Sequence, residues 1–257
     1  MIAPSQARLE RIAALRTVVR AVESPARERR EHLPFGLPAV DRRLEGGGLA
    51  AAALHEVAGA RAGFADDAAA CLFIAGIAAR RAAGGRTVLW ALARRDLFAP
   101  GLAQAGLPPE RLIYAECGCD EDVLAVMEEG LRHGGLAAVV GEVGKAAMAA
   151  TRRLQLAAEQ GGTMALMLRR WRKPAADPLG APSAAATRWQ IACVPSAELP
   201  VPGVGRARWR ATLARQRGGE PHEWIVESPD AEGRLALPAH APDRSAAADR
   251  TERRAAA

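Results

Sequence analysis

The stretch from Leu54 to Arg80, LHEVAGARAGFADDAAACLFIAGIAAR, constrains the fold of this chain more than any other segment. It predicts a short apolar strand, a glycine-bearing turn and an amphipathic helix, the arrangement that positions a phosphate-binding loop in nucleotide-binding α/β domains. Such a loop requires G-x-x-x-x-G-K-[ST], because glycines let the backbone wrap the phosphates, a lysine neutralises their charge and a hydroxyl binds Mg²⁺. The segment therefore predicts a nucleotide-type α/β fold.

The predicted loop lacks the residues that bind phosphate. Counting from Gly59, Phe64 replaces the second glycine. Ala65 then replaces the lysine, and Asp66 replaces the hydroxyl residue. Phe64 blocks close backbone approach, Ala65 carries no charge, and Asp66 places a negative charge near the helix N-terminus, where a phosphate would lie. Counting from Gly63 supplies no lysine either. We therefore expect no nucleotide cofactor and no metal at this loop.

Strand-like and helix-like segments alternate along the middle of the chain. We predict buried strands at Ala50–Ala58, Thr87–Leu92, Leu112–Cys117, Leu136–Val143 and Thr163–Leu168. We predict helices at Asp66–Ala83, from Asp120 to about Arg132, and at Ala146–Gln160. Repeated strand–helix units indicate an α/β fold with a mostly parallel, twisted sheet flanked by helices. After Leu168 a long polar loop precedes segments that we predict as a C-terminal antiparallel β extension.

Three regions follow one another along the chain. Residues 1–32 predict a helix and a charged linker, residues 33–238 the core, and residues 239–257 a disordered tail without apolar periodicity. The helix carries one apolar stripe, formed by Leu9, Ile12, Leu15 and Val19. Such a helix either folds back on its own core or docks on a partner, so these four residues are candidate partner contacts.

The charge balance of the chain is basic, with a formal net charge of +6. All but two of its 35 Lys and Arg residues are arginine, which suits bidentate phosphate and carboxylate contacts but is also what a GC-rich genome encodes. The basic balance fits binding to nucleic acid or to an acidic partner.

No apolar run approaches the ~20 residues that span a bilayer, and no N-terminal apolar segment precedes the helix. We therefore expect a cytoplasmic protein without a membrane partner. Cys117 and Cys119 have no matching second pair, so they do not predict a zinc site.

The order of elements resembles the RecA-type recombinase core, roughly over Leu33–Pro238. The likeness is carried by GLPAVDRRLEGGGL at Gly36–Leu49, LHEVAG at Leu54–Gly59, GGRTVLW at Gly84–Trp90 and the strand–loop–hairpin ending at Ala165–Glu227. This resemblance implies a RecA-like core with a degenerate phosphate loop.

The resemblance also implies catalytic positions that this chain has lost. RecA-like ATPases place an acid just after the strand matching Thr87–Leu92, whereas Arg94 and Arg95 stand there and Asp96 comes slightly too late. They end the strand matching Leu136–Val140 with an aspartate that orders Mg²⁺. This chain has Gly141 followed by Glu142, which is either a displaced metal ligand or a solvated or capping residue. The resemblance thus implies a pseudo-ATPase rather than an enzyme.

Among RecA-like proteins without the ATPase motifs, the chain is most similar to the ImuA family of the bacterial damage-inducible mutagenesis cassette. The shared features are the Gly36–Leu49 entry, VVGEV at Val139–Val143, LRRWR at Leu168–Arg172 and RWQI at Arg188–Ile191. This resemblance implies an SOS-induced, non-catalytic role in error-prone translesion DNA synthesis. It also implies two partners, an ImuB-type Y-family-like polymerase protein and an error-prone DnaE-type polymerase, and RecA is a further candidate. A SulA-type division inhibitor and an active RecA-like DNA-dependent ATPase are the alternatives.

The densest cationic cluster follows the strand whose outgoing loop contacts single-stranded DNA in the recombinases that this chain resembles. Together with Arg188, its members are the candidate DNA-binding residues: Arg169, Arg170, Trp171, Arg172 and Lys173. Their charges would track the phosphate backbone while the indole stacks on a base. The alternatives are a protein contact, or a solvated loop with Trp171 packed on the core.

Arginines also alternate along one predicted C-terminal strand. Arg206, Arg208 and Arg210 share one face of that strand, which is either solvated or an interface with an acidic partner. Arg215 and Arg217 have the other parity and point the opposite way if the strand runs on unbroken.

Overall fold

The computed structural model of the chain describes residues 31–171, 173–174, 176–197 and 203–238. The predicted N-terminal helix with its stripe of Leu9, Ile12, Leu15 and Val19 lies outside the described residues. Arg172 and the predicted tail 239–257 lie outside them as well. The proposed domain boundaries at residues 32 and 238 therefore stay predictions.

An eight-stranded sheet organises the described residues. In chain order its strands are β3 (Leu54–Gly59), β4 (Val88–Leu92), β5 (Leu112–Glu116), β6 (Ala138–Val143), β7 (Met164–Arg169), β8 (Thr187–Val194), β9 (Arg208–Gln216) and β10 (His222–Glu227). Across the sheet they run in the order β10-β9-β8-β3-β7-β6-β4-β5. The six strands from β8 to β5 are parallel, whereas β9 and β10 continue the sheet antiparallel. This arrangement confirms the predicted α/β class, a mostly parallel RecA-like sheet with a C-terminal antiparallel extension.

Helices cover both faces of the sheet, as predicted. In chain order they are α1 (Pro38–Asp41), α2 (Phe64–Arg81), α3 (Ala99–Gln104), α4 (Asp120–His133) and α5 (Met148–Gly161). α2 and α3 pack on one face and α4 and α5 on the other, which divides the interior into two hydrophobic clusters. Neighbouring β6 residues show the alternation behind this division, because Val140 enters the first cluster and Val139 the second.

The few aromatic residues of the chain concentrate on the α2 face. Phe35, Phe73 and Trp189 form a cluster whose ring centroids lie 5.6 to 5.8 Å apart. Trp90, Trp189 and Trp209 are fully buried. The indole N–H of Trp189 donates to the Thr187 hydroxyl at 2.9 Å, so burial leaves its polar group satisfied.

One predicted strand is wrong in its extent. The apolar stretch Ala50–Ala58 is not continuous, because a turn at 51–53 separates β2 (Leu49–Ala50) from β3. β2 pairs antiparallel with β1 (His32–Leu33), whereas β3 pairs with β7 and β8 in the large sheet. Periodicity within an all-apolar run cannot show this change of partner.

Candidate functional site at the carboxyl edge of the sheet

The predicted loop joins β3 to α2 at the carboxyl edge of the sheet. Its first glycine, Gly59, allows β3 to pack closely against α2. β3 ends at Gly59 and α2 begins at Phe64. A Cβ atom on Gly59 would lie 2.9 Å from the carbonyl carbon of Asp66, so only glycine lets the strand end approach the helix this closely. The Phe64 side chain is 92% exposed and points into solvent. The strand–turn–helix architecture of a phosphate loop is therefore kept, with Gly59 used for the close contact between β3 and α2.

Asp66 occupies the first turn of α2 as a structural acid. Its side chain is buried, and its carboxylate accepts the backbone N–H of Cys193 at 2.8 Å. The other carboxylate oxygen accepts Nε of Arg61 at 3.1 Å. A negative charge is stable here because the helix N-terminus carries a partial positive charge. The Asp66 carboxylate is thus the negative charge at the N-terminus of α2, and its hydrogen bond with Cys193 joins α2 to β8.

Arg170 lies at the centre of the same edge, immediately after β7. Its Nε and Nη2 donate to one carboxylate oxygen of Glu142 at 2.9 and 2.7 Å. Nη2 also lies 3.4 Å from Asp96, and Nη1 lies 3.7 Å from Asp67. These three acids come from β6, from the loop after β4 and from α2, so one guanidinium draws three separate elements together. We call Arg170 and these three acids the Arg170 cluster.

The charges of the Arg170 cluster perturb one another. Burial raises the pKa of Asp67, and Arg170 offsets part of that effect. Burial acts to lower the pKa of Arg170, but the Glu142 carboxylate raises it overall. The guanidinium is therefore held in its charged form beside the carboxylates of the cluster.

The burial of Glu142 shows that the expectation of a solvated or capping residue is wrong. Glu142 is only 4% exposed, and its second oxygen accepts the indole N–H of Trp90 at 2.7 Å. Both oxygens thus have protein donors, because Arg170 engages the other one. Within the described residues, no group of three or more His, Cys, Asp or Glu side chains is arranged to hold a metal ion.

A second buried cluster overturns two of the candidate DNA contacts. Arg169 Nη1 and Arg188 Nε lie 3.1 and 2.7 Å from the two carboxylate oxygens of Glu56, and the Ser183 hydroxyl donates to the same group at 2.9 Å. Glu56 is fully buried in β3, and the two arginines come from the strands on either side of it. The prediction that Arg169 and Arg188 contact DNA is wrong, because a buried carboxylate needs their charges inside the protein.

One signal in the sequence could have found this cluster. Glu56 lies in the middle of a strand that is otherwise apolar, and a carboxylate in a buried strand requires a nearby cation. The identity of the partners depends on strand order, which brings β7 and β8 to opposite sides of β3.

The remaining members of the predicted DNA-binding cluster have separate environments. The indole N–H of Trp171 donates to the carbonyl oxygen of Gly59 at 2.8 Å, which lays the ring over the start of the β3–α2 loop. Trp171 is half-buried, as the alternative of packing on the core predicted. Lys173 is exposed, and Arg172 lies outside the described residues. DNA contact by Lys173 and Arg172 stays a prediction.

The alternating arginines of β9 face acids of the neighbouring strand. Arg206 and Arg208 lie 3.7 and 3.5 Å from the Glu227 carboxylate, and Arg210 lies 3.3 Å from Glu223. Two carboxylates thus offset most of the charge of these three arginines within the chain.

The condition under which Arg215 and Arg217 would point the opposite way, an unbroken strand, is not met. The pairing of β8 with β9 shifts by one residue, so that Leu213 faces Trp189 but Arg215 faces Arg188. Beyond this bulge, both arginines donate to carbonyl oxygens of the loop before β8, Arg215 to Ser183 and Arg217 to Ala184. The extra residue changes which side chains point inward.

No described helix has the length and apolar character needed to cross a membrane. No family model matches the chain. The chain is 38% identical over 208 residues to Protein ImuA of Caulobacter vibrioides, in two strains of that bacterium. The alignment covers 77% of this chain and 84% of the relative. This degree of identity, over most of both chains and together with the observed RecA-like sheet, shows that the chain belongs to the ImuA family.

Proposed function

We propose that this chain is a non-catalytic RecA-like scaffold of the bacterial damage-inducible mutagenesis response, acting in the cytoplasm in error-prone translesion DNA synthesis. The Arg170 cluster is the observation that carries the non-catalytic part. A guanidinium, three carboxylates and an indole N–H fill the sheet edge where a RecA-like ATPase would hold phosphate and Mg²⁺. Membership of the ImuA family supports the cellular role.

Hydrolysis of a nucleoside triphosphate depends almost entirely on positioning and on charge stabilisation. A phosphate at the start of α2 would meet the carboxylate of Asp66, and a metal ion beside Glu142 would meet the cation of Arg170. Each encounter is between like charges in a buried setting, where repulsion is stronger than in water. Binding a nucleotide together with Mg²⁺ would therefore have to overcome repulsion at both Asp66 and Arg170.

The proposed partners follow from the family. They are an ImuB-type Y-family-like polymerase protein and an error-prone DnaE-type polymerase, with RecA and single-stranded DNA as further candidates. The exposed Lys173 and the neighbouring Arg172 are the proposed DNA contacts, and the apolar stripe of the N-terminal helix is the proposed protein contact.

The test is ATP hydrolysis by the full chain with Mg²⁺, measured with radiolabelled ATP in the presence and absence of single-stranded DNA. We expect no turnover above the buffer rate and no thermal stabilisation by ATP, because a ligand stabilises a fold only through binding it. Turnover that disappears in Asp66→Asn or Glu142→Gln, but persists in the exposed control Glu129→Gln, would establish an active ATPase.

A pull-down from damage-treated cells tests the cellular role. Recovery of the two polymerase-type partners is the expected result. Recovery of cell-division proteins alone would favour the division-inhibitor alternative and contradict the proposal.

A further inference from the structure

An open groove of about 730 Å³ lies at the amino edge of the sheet, opposite the Arg170 cluster. It runs past the C-terminal end of α2, the start of β5 and the segment that follows β10. Three arginines line it, Arg80, Arg111 and Arg234, together with one acid, Glu232. The rest of its described lining is small or apolar and includes Leu33 and Ala83.

One wall of the groove is a strap formed by residues 228–238. The strap turns back after β10, and the Glu227 N–H donates to the Ala236 carbonyl at 2.8 Å. The Asp230 carboxylate accepts the backbone N–H of Arg234 at 2.8 Å, which fixes the turn that carries this arginine. A Cβ atom on Gly76 would lie 2.8 Å from Pro229, so α2 and the strap are in close contact. The groove wall is thus a packed element.

The groove lining carries more positive than negative charge, because three arginines face one glutamate. Within the described residues, none of the three guanidiniums forms an ion pair. Arg80 instead donates to the Pro34 carbonyl, and Arg111 donates to the Ala82 carbonyl. Burial lowers the pKa of Arg80, and the like charge of Arg234 adds to that effect, whereas the carboxylates of Asp41 and Asp230 oppose it. Backbone anchoring holds Arg80 and Arg111 in place while leaving other guanidinium N–H groups for a ligand.

We propose that this groove binds an acidic, partly apolar peptide segment of a partner protein. Guanidinium groups pair with carboxylates in bidentate fashion, and arginines held in place beforehand lose less entropy on binding. The small apolar floor receives an apolar side chain between the carboxylates. Single-stranded nucleic acid fits less well, because it binds best where aromatic side chains stack on bases, and the described lining has none.

The test measures fluorescence anisotropy of a labelled peptide of alternating Glu and Leu, titrated with the full chain. A Gln–Leu peptide of the same length and a labelled oligothymidine are the comparison probes.

Two variants alter the groove. Arg111→Gln with Arg234→Gln removes two groove charges, and Ala83→Trp fills the groove without changing its charge. Arg152→Gln with Arg153→Gln, on α5, is the control with the same loss of charge. Hydrogen exchange on the unaltered chain, with and without the Glu–Leu peptide, locates the contact independently of any variant.

We expect the Glu–Leu peptide to bind and to protect residues 231–234, with affinity falling about tenfold or more in both groove variants but not in the α5 control. Equal losses in the groove and α5 variants would show non-specific charge attraction and overturn the proposal. So would protection elsewhere on the surface, absence of binding at millimolar peptide, or groove-dependent binding of oligothymidine alone. This proposal concerns the edge opposite the Arg170 cluster, so its failure leaves the proposed function untouched.

Discussion

At the scale of single residues, His55 shows how burial sets the chemistry of a side chain. It lies in β3, 1% exposed, with Nε2 2.9 Å from the Ala50 carbonyl and Nδ1 2.8 Å from the Thr187 hydroxyl. A carbonyl only accepts, so Nε2 carries the hydrogen and Nδ1 accepts from Thr187, which itself accepts from Trp189. This chain of bonds uses the neutral ring, and burial lowers the pKa of His55 to about 4.

We therefore predict a loss of stability in mild acid. Between the unfolded pKa of 6.5 and the folded pKa of about 4, the unfolded chain binds a proton that the folded chain does not. Stability falls as pH is lowered through this window, by up to about 1.4 kcal/mol per pH unit. Urea unfolding at pH 7, 6 and 5 measures this slope, and His55→Gln should flatten it. The exposed His133→Gln should keep the original slope, and an unchanged slope in His55→Gln would contradict the assignment.

At the scale of elements, the contact between α2 and the strap depends on glycine. Gly76 is buried in the middle of α2, where glycine weakens a helix relative to alanine by roughly 0.5–1 kcal/mol. The contact explains its presence, because any side chain there would meet Pro229 and the Gly233 carbonyl. The helix accepts a poorer residue so that the strap can pack closely against it.

Gly76→Val should therefore displace the strap. We expect faster hydrogen exchange at the Glu227 and Arg234 amides, because both donate hydrogen bonds to residues of the strap. We also expect overpacking to lower the free energy of unfolding by about 1–3 kcal/mol. Ala68→Val, on the exposed side of the same helix, controls for the lower helix propensity of valine. Unchanged exchange in Gly76→Val, or equal effects in both variants, would show that the close contact does not order the strap.

At the scale of the whole molecule, the two edges of the sheet have opposite characters. The Arg170 cluster lies at the carboxyl edge, and the amino edge presents an open groove lined by three arginines. A recombinase polymerises around nucleotide, which the Arg170 cluster would exclude under the proposed function. We propose that association instead uses the N-terminal stripe to join one related fold or a second copy, rather than a filament.

Ile12→Asp with Leu15→Asp tests this mode of association, because two charges placed mid-stripe cannot be buried unpaired. Burial of such side chains supplies roughly 1.5–3 kcal/mol each before ordering costs, so association should be lost in light scattering and pull-down while the melting temperature changes little. Ala14→Asp with Thr17→Asp, on the side of the predicted helix opposite the stripe, is the control with the same added charge. Retained association with a lowered melting temperature would show that the helix packs on its own core.

The sequence alone predicted the features that depend on residues close together in the chain. The three long helices and the four parallel strands β4 to β7 followed from apolar periodicity, with ends shifted by at most two residues. The loss of phosphate-loop chemistry was visible at Phe64, Ala65 and Asp66, because that motif is contiguous. These properties are local, and local patterns encode them.

Only the tertiary structure decided what the charged residues do. Arg169 and Arg170 are adjacent, yet the first ends a strand and points to Glu56, while the second lies past the strand and pairs with Glu142. Strand order brings β3 and β6 to the two sides of β7, and a bulge in β9 moves Arg215 to the loop before β8. A charge in a protein is governed by the partners within a few ångströms of it, and here those partners come from residues that are distant in sequence.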